Sequence, residues 1–154
     1  GGLAAAVCAA FWYELGDKRP RMIIAESELA ACIIESLREG GPRSVPIKAE
    51  TVMAGLSCGE ISLIAWEILS RGVCGALTLT DDGVAPAMRL MADHGVEAGE
   101  CAVPGILALV ALLANQQACE HLDLGPDSRV LVFGCEGATD PEVYRSMLEA
   151  GDRG

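Results

Sequence analysis

The chain has 154 residues, with 22 acidic side chains against 11 basic ones and a formal net charge of −11. Hydrophobic residues make up 51% and charged residues 21%, too apolar for a disordered chain and polar enough for a soluble globule of one domain or part of one. An acidic surface argues against nucleic acid as a partner, since phosphate binding needs a basic face. The longest apolar run, Leu3 to Tyr13, stops at Glu14, well short of the ~20 residues of a membrane helix.

The cysteines are Cys8, Cys32, Cys58, Cys74, Cys101, Cys119 and Cys135. Their number is odd and no CxxC pair occurs, which argues against a secreted disulfide framework and against a zinc site. Small buried thiols in a reducing, cytoplasmic setting are the expectation, with no metal ligands. The first residue is Gly1 rather than Met, and no basic segment precedes the apolar run as in a signal peptide. The expectation is a chain that starts inside a larger protein.

In chain order, the Ala-rich run 3–13 predicts a buried helix, ended by Gly16-Asp17. Met22-Ile-Ile-Ala25 predicts a central parallel strand with Glu26 and Ser27 at its carboxyl end. Leu29 to Arg38 is amphipathic, with Leu29, Cys32, Ile33, Ser36 and Leu37 on one face, and Gly40-Gly41-Pro42 stops it. Residues 43–50 read as an extended connection. Ile61 to Ser70 predicts a helix with Ile61, Ile64, Ala65 and Ile68 inward. Gly75 to Thr80 predicts a second strand. Asp81-Asp82 can cap a helix over 83–93, with Pro86 tolerated in its first turn. Pro104 to Ala114 predicts a further apolar helix. Arg129 to Phe133 predicts a third strand, and Thr139-Asp140-Pro141-Glu142 opens the last helix.

Strands alternating with helices imply a parallel sheet with helices on its faces, an α/β fold. Three strands make a small sheet, so residues 1–154 read as a single incomplete domain. Ligands of open α/β sheets bind outside the carboxyl ends of the strands. Three segments lie there or beside it: Ala54 to Glu60, Gly99 to Cys101, and Gly134 to Gly137. Gly134-Cys-Glu-Gly137 can hold a phosphate or ring nitrogen, or be a plain strand-to-helix turn. Met53-Ala-Gly-Leu-Ser-Cys-Gly-Glu60 can bring backbone close to a flat ligand. It can equally start a helix, with Ser57 and Glu60 as a capping box. Glu100 can face a ligand or act as a first-turn acid. His94 and His121 stand alone. Lysine occurs only as Lys18 and Lys48, both in expected loops, so a buried Schiff-base lysine is not evident.

Thr51-Val-Met-Ala-Gly-Leu-Ser-Cys-Gly-Glu60, followed by Ala65-Trp-Glu-Ile-Leu69, resembles the T-x-MAGL-x-CGE…WEIL signature of the diaminopropionate ammonia-lyase family. Gly1-Gly2 and its helix resemble the end of that family's glycine loop. Ile23-Ile-Ala-Glu26 with Ala31-Cys32 and Ser36 resembles its IIVEP…A-x-C…S stretch. Gly99-Glu100 resembles its SGESG segment, and Cys135-Glu-Gly137 with Thr139-Asp140 its TEGxTD turn. Tyr144-Arg145 also falls in place. The likeness is collinear over nearly the whole chain. Ser27 replaces a family Pro, Cys101-Ala102 replaces Ser-Gly, and Gly134-Cys135 replaces Ser-Thr.

The resemblance implies part of the second half of the large domain of a tryptophan-synthase-β-like enzyme, with pyridoxal 5′-phosphate as cofactor. It implies a C-terminal portion of a lyase, homodimeric when complete, that eliminates ammonia from the small amino acid 2,3-diaminopropionate to give pyruvate and ammonia. The cofactor lysine of the family has no counterpart here, so this chain alone is expected to be inactive and to need the missing N-terminal half as partner. By the same likeness Ala54, Gly55 and Leu56 lie along the cofactor ring. Glu100 lies near its phenolic edge, and Cys135 opposite the pyridine nitrogen. The alternatives are a serine/threonine dehydratase-like β-eliminase fragment, and a non-catalytic remnant or binding module.

Overall fold

The structure, a computed structural model, describes residues 1–149. They group into two compact units: Gly1–Glu50 with Leu56–Thr78, and Thr51–Gly55 with Leu79 onward.

The first unit is built on α1 (Gly2–Leu15), β1 (Ile23–Ser27), α2 (Cys32–Glu39), α3 (Leu63–Gly72) and β2 (Gly75–Leu79). β1 and β2 pair as a small parallel sheet. A parallel pair needs a crossover, and α2 and α3 lie between the strands in sequence. The core joins Ala5 and Cys8 of α1, Ile24 of β1, Cys32 and Ile33 of α2, and Ile61, Ala65 and Leu69 at α3. α1 and α3 pack directly on each other. Their close approach depends on Gly72, where a Cβ would overlap the Cys8 sulfur and come within 3.3 Å of the Trp12 ring. Gly72→Ala is therefore expected to destabilise the fold by about 2 kcal/mol through overpacking. Denaturant unfolding should show most of that loss recovered when Cys8→Ala is added.

The predicted helix over 29–38 begins later, at Cys32, because Glu26 supplies its cap from the end of β1. The buried Glu26 carboxylate accepts the N–H of Ile33 at 2.9 Å and of Ile34 at 2.8 Å, two of the donors a helix start leaves open. Burial pushes the Glu26 carboxyl above its ordinary value, against the pull of those two bonds. α2 ends at Gly40, whose φ of 68° is the left-handed conformation glycine adopts without strain.

The start of α3 corrects two expectations. Ser62, not Ser57, is its cap, with the Ser62 Oγ accepting the Ala65 N–H at 3.1 Å. Ser57 instead donates to Glu50 at 2.8 Å, and Glu60 accepts from Ser44 at 2.9 Å, so no capping box forms. The buried face runs through Ile61, Ala65 and Leu69, four residues apart, and leaves the expected inward Ile64 79% exposed.

The second unit carries α4 (Val84–Asp93), α5 (Pro104–Leu113), α6 (Gln116–Leu122) and α7 (Pro141–Glu149). α4 packs on α5 and on α7, and α5 on α6. Pro104 opens α5 at a position that needs no N–H donor. The Asp140 carboxylate caps α7 as expected, accepting the N–H groups of Glu142 and Val143 at 3.0 Å each. Asp81 caps no helix. It accepts the Thr51 hydroxyl at 2.5 Å and the Val52 N–H at 2.9 Å, and so ties down the segment Thr51–Gly55.

The predicted third strand, Arg129 to Phe133, joins no ladder among the described residues. Val132 lies against Gly105 of α5, but Val130, Leu131 and Phe133 are 49%, 65% and 46% exposed. A strand exists only through a partner's backbone groups, and a run of β-prone side chains cannot supply one. No helix among the described residues is long and apolar enough to cross a membrane.

Candidate functional site

Gly55, Gly99–Cys101 and Glu136, one part of each sequence-picked segment, meet inside the second unit. The anchor at Asp81 places Gly55, whose N–H points at the Cys101 sulfur, 3.1 Å away. The N–H of Cys101 donates to Glu136 Oε2 at 2.8 Å, and the N–H of Gly99 to the Glu136 carbonyl at 3.1 Å. A further tie joins the same loops, since the Ala138 N–H donates to Glu97 Oε1 at 3.1 Å. Only glycine fits at position 99, because a Cβ there would stand 2.5 Å from the Gly137 carbonyl oxygen.

The site residues picked from the sequence separate as follows. Ala54 and Gly55 are exposed and present backbone and little else. Glu100 is half-buried, and one carboxylate oxygen lies within 4.8 Å of both the Cys101 sulfur and a Glu136 oxygen. Cys135 is exposed, directly before Glu136 in the chain. Leu56 follows Gly55 in the same single turn of 3-10 helix but groups with the first unit. Sequence reasoning passed over Glu136, and treated Cys101 only as a departure from a pattern. The one available signal for Glu136 was its place between Cys135 and Gly137 at the turn.

Electrostatically this is an acidic corner around a neutral thiol. Burial pushes the Cys101 thiol up to about 11. The Gly55 N–H favours the thiolate, but the hydrogen bond and charge of Glu136 and the charge of Glu100 oppose it. The thiol therefore stays protonated at neutral pH, with its sulfur accepting from Gly55 and a Glu136 oxygen within 4.8 Å of it. Glu100, Cys101 and Glu136 have the donor types of a divalent-cation site. Two of the three, however, are already engaged by backbone N–H groups.

Residues 1–136 match the family model of pyridoxal-phosphate dependent enzymes. The chain belongs to that family. Within it, the chain is 34% identical to diaminopropionate ammonia-lyase of Escherichia coli over 84% of its length, and 29% identical to that of Salmonella typhimurium over 98%. The crystal structure of the Escherichia coli lyase in complex with an aminoacrylate-PLP azomethine reaction intermediate superposes with a TM-score of 0.82. It is 29% identical, covering 99% of this chain and 40% of that one. The chain spans 34% to 40% of the length of the curated relatives it matches.

The residues present fit one side of a pyridoxal-phosphate site. Ala54 and Gly55 offer a wall without bulky side chains, and a Cβ on Gly55 would crowd the Cys101 sulfur at 3.2 Å. Neither lysine belongs to this unit: Lys18 and Lys48 are both exposed and lie in the first.

Proposed function

We propose that this chain forms the C-terminal portion, one incomplete domain, of a pyridoxal-phosphate ammonia-lyase that converts 2,3-diaminopropionate to pyruvate and ammonia. The observation that carries the reading is the meeting of Gly55, Gly99–Cys101 and Glu136 in one unit of a chain of this family. The cofactor, when bound, withdraws electrons from the substrate carbon that loses its proton.

The chain's own part is to hold and orient. Ala54, Gly55 and Leu56 form the wall along the ring. Glu100 stands at the phenolic edge. Cys135 is the residue that would stand by the ring nitrogen. The Schiff-base lysine, and the acids that take up substrate protons, come from residues outside this chain. The complete enzyme is a cytoplasmic homodimer in this reading.

The test is a pyruvate-release assay on the product of the complete reading frame. Diaminopropionate is expected to be turned over with a kcat/KM at least tenfold above that for serine or threonine. A preference for the hydroxy amino acids would replace this reading with a dehydratase. Absence of turnover of either, with cofactor bound, would leave a non-catalytic protein.

A further inference from the structure

The second unit has three unassigned features. The shallow groove of about 600 Å³ beside α6 is lined by Glu120, Asp123 and Asp127, and it has nothing beyond its acidity to name a ligand. The exposed Val130, Leu131 and Phe133 have no observed cover. The relay from Gly55 to Glu136 goes further, because each of its links joins two segments that the proposed function places at the cofactor.

We infer that Cys101 and Glu136 are positioning residues that tie the ring-side wall at Gly55, the edge at Glu100 and the turn carrying Cys135 into one rigid frame. The inference rests on the cofactor reading above and deepens it. The Cys101 sulfur accepts from Gly55 at 3.1 Å, and the Cys101 N–H donates to Glu136 Oε2 at 2.8 Å. The Glu136 backbone carbonyl holds Gly99 at 3.1 Å. An oxygen of the same carboxylate lies within 4.8 Å of the Cys101 sulfur. Cys101 thus links the two sides at once, accepting from Gly55 at its sulfur and donating to the Glu136 carboxylate from its N–H.

The Cys101 side chain adds a use for sulfur that is not nucleophilic. A protonated thiol can accept and donate at once, as a serine hydroxyl does. This explains how cysteine can stand where the resembling family has serine. Cys101→Ser should therefore keep the frame and Cys101→Ala should lose it. Glu136→Gln keeps an acceptor for the Cys101 N–H but removes the charge beside the thiol.

Hydrogen–deuterium exchange on the product of the complete reading frame, followed by mass spectrometry, reads the frame without reference to activity. Cys101→Ala is expected to speed exchange in the peptide over 51–56 at least fivefold, with Cys101→Ser within twofold of the parent. Glu136→Gln is expected to raise the rate of Cys101 alkylation at least tenfold at pH 8. Added pyridoxal phosphate should slow exchange over 51–56 and 134–138 in the parent protein. Unchanged exchange in Cys101→Ala, with cofactor protection intact in the parent, overturns the tie alone. Failure of Cys101→Ser to restore slow exchange also overturns it. Absence of cofactor protection in the parent overturns the cofactor reading, and the positioning role falls with it.

Discussion

Glu26→Ala is expected to cost about 2–5 kcal/mol of stability, because it removes one acceptor from two backbone donors at once. The Glu26 carboxylate sits at the end of β1 and accepts the Ile33 and Ile34 N–H groups at 2.9 and 2.8 Å. Removing it strands both donors, one of them buried, and each unsatisfied group costs about 1–3 kcal/mol. It also unties β1 from α2, two elements that share the core of the first unit. Urea unfolding of the parent and the variant measures the difference. A loss under about 1 kcal/mol would show that water or another side chain takes over both donors.

The same carboxyl gives a pH dependence of definite sign. Its folded-state value is raised by burial, so the native state binds the proton more tightly than the unfolded chain does. Stability from this group is then fully present below the ordinary glutamate value. It falls as pH rises from there through the raised value, because the unfolded state binds fewer protons in that window. Glu26→Gln should flatten that part of the stability profile while keeping a carbonyl acceptor. A parent profile that rises through the same window, with the variant unchanged, would contradict the assignment.

Thiol labelling should divide the cysteines sharply. Cys58, Cys74 and Cys135 are exposed and are expected to react first with iodoacetamide. Cys32 and Cys101 are both pushed up to about 11, first by burial and then by Glu26 and by Glu136 with Glu100 respectively. At pH 8 a thiol of that value is roughly 0.1% thiolate, the form that reacts. Their alkylation should lag the exposed group by about a hundredfold or more. It should also quicken about tenfold for each pH unit up to the point of unfolding. Peptide mapping over a time course reads both effects. Early labelling of Cys101 would show that the corner around Glu136 is open or that the thiol is ionised.

Much of the architecture was readable one residue at a time. The apolar run of α1, the buried face Cys32-Ile33-Ser36 of α2 and the Asp140 cap of α7 all appear where pattern and capping chemistry put them. α6 was missed. It is short and polar, and its signal was the Asn115 side chain, which accepts the Ala118 N–H at 3.0 Å. The misplaced caps at Ser57 and Asp81 have one cause. A side-chain oxygen that suits a nearby helix start also suits a distant partner, and only the folded chain decides which is closer. Glu50 took Ser57, and the Thr51 segment took Asp81.

What the sequence determined by itself is the α/β class, most of the helices, and the three loop segments from which a site could be built. Each of these follows from local periodicity, glycine and proline placement, and the rule that ligands sit at strand ends. What only the tertiary structure decided is which residues of those loops meet. Gly55 and Cys101 are 46 positions apart and Cys101 and Glu136 are 35 apart, and no local pattern encodes a pairing over that span. The raised value of the Cys101 thiol was equally invisible, because it arises from burial and from carboxylates that folding alone brings to the sulfur. The unpaired segment 129–133 shows the same limit from the other side: a run of β-prone apolar residues can make a segment ready for a sheet, but only another strand's backbone can make it one.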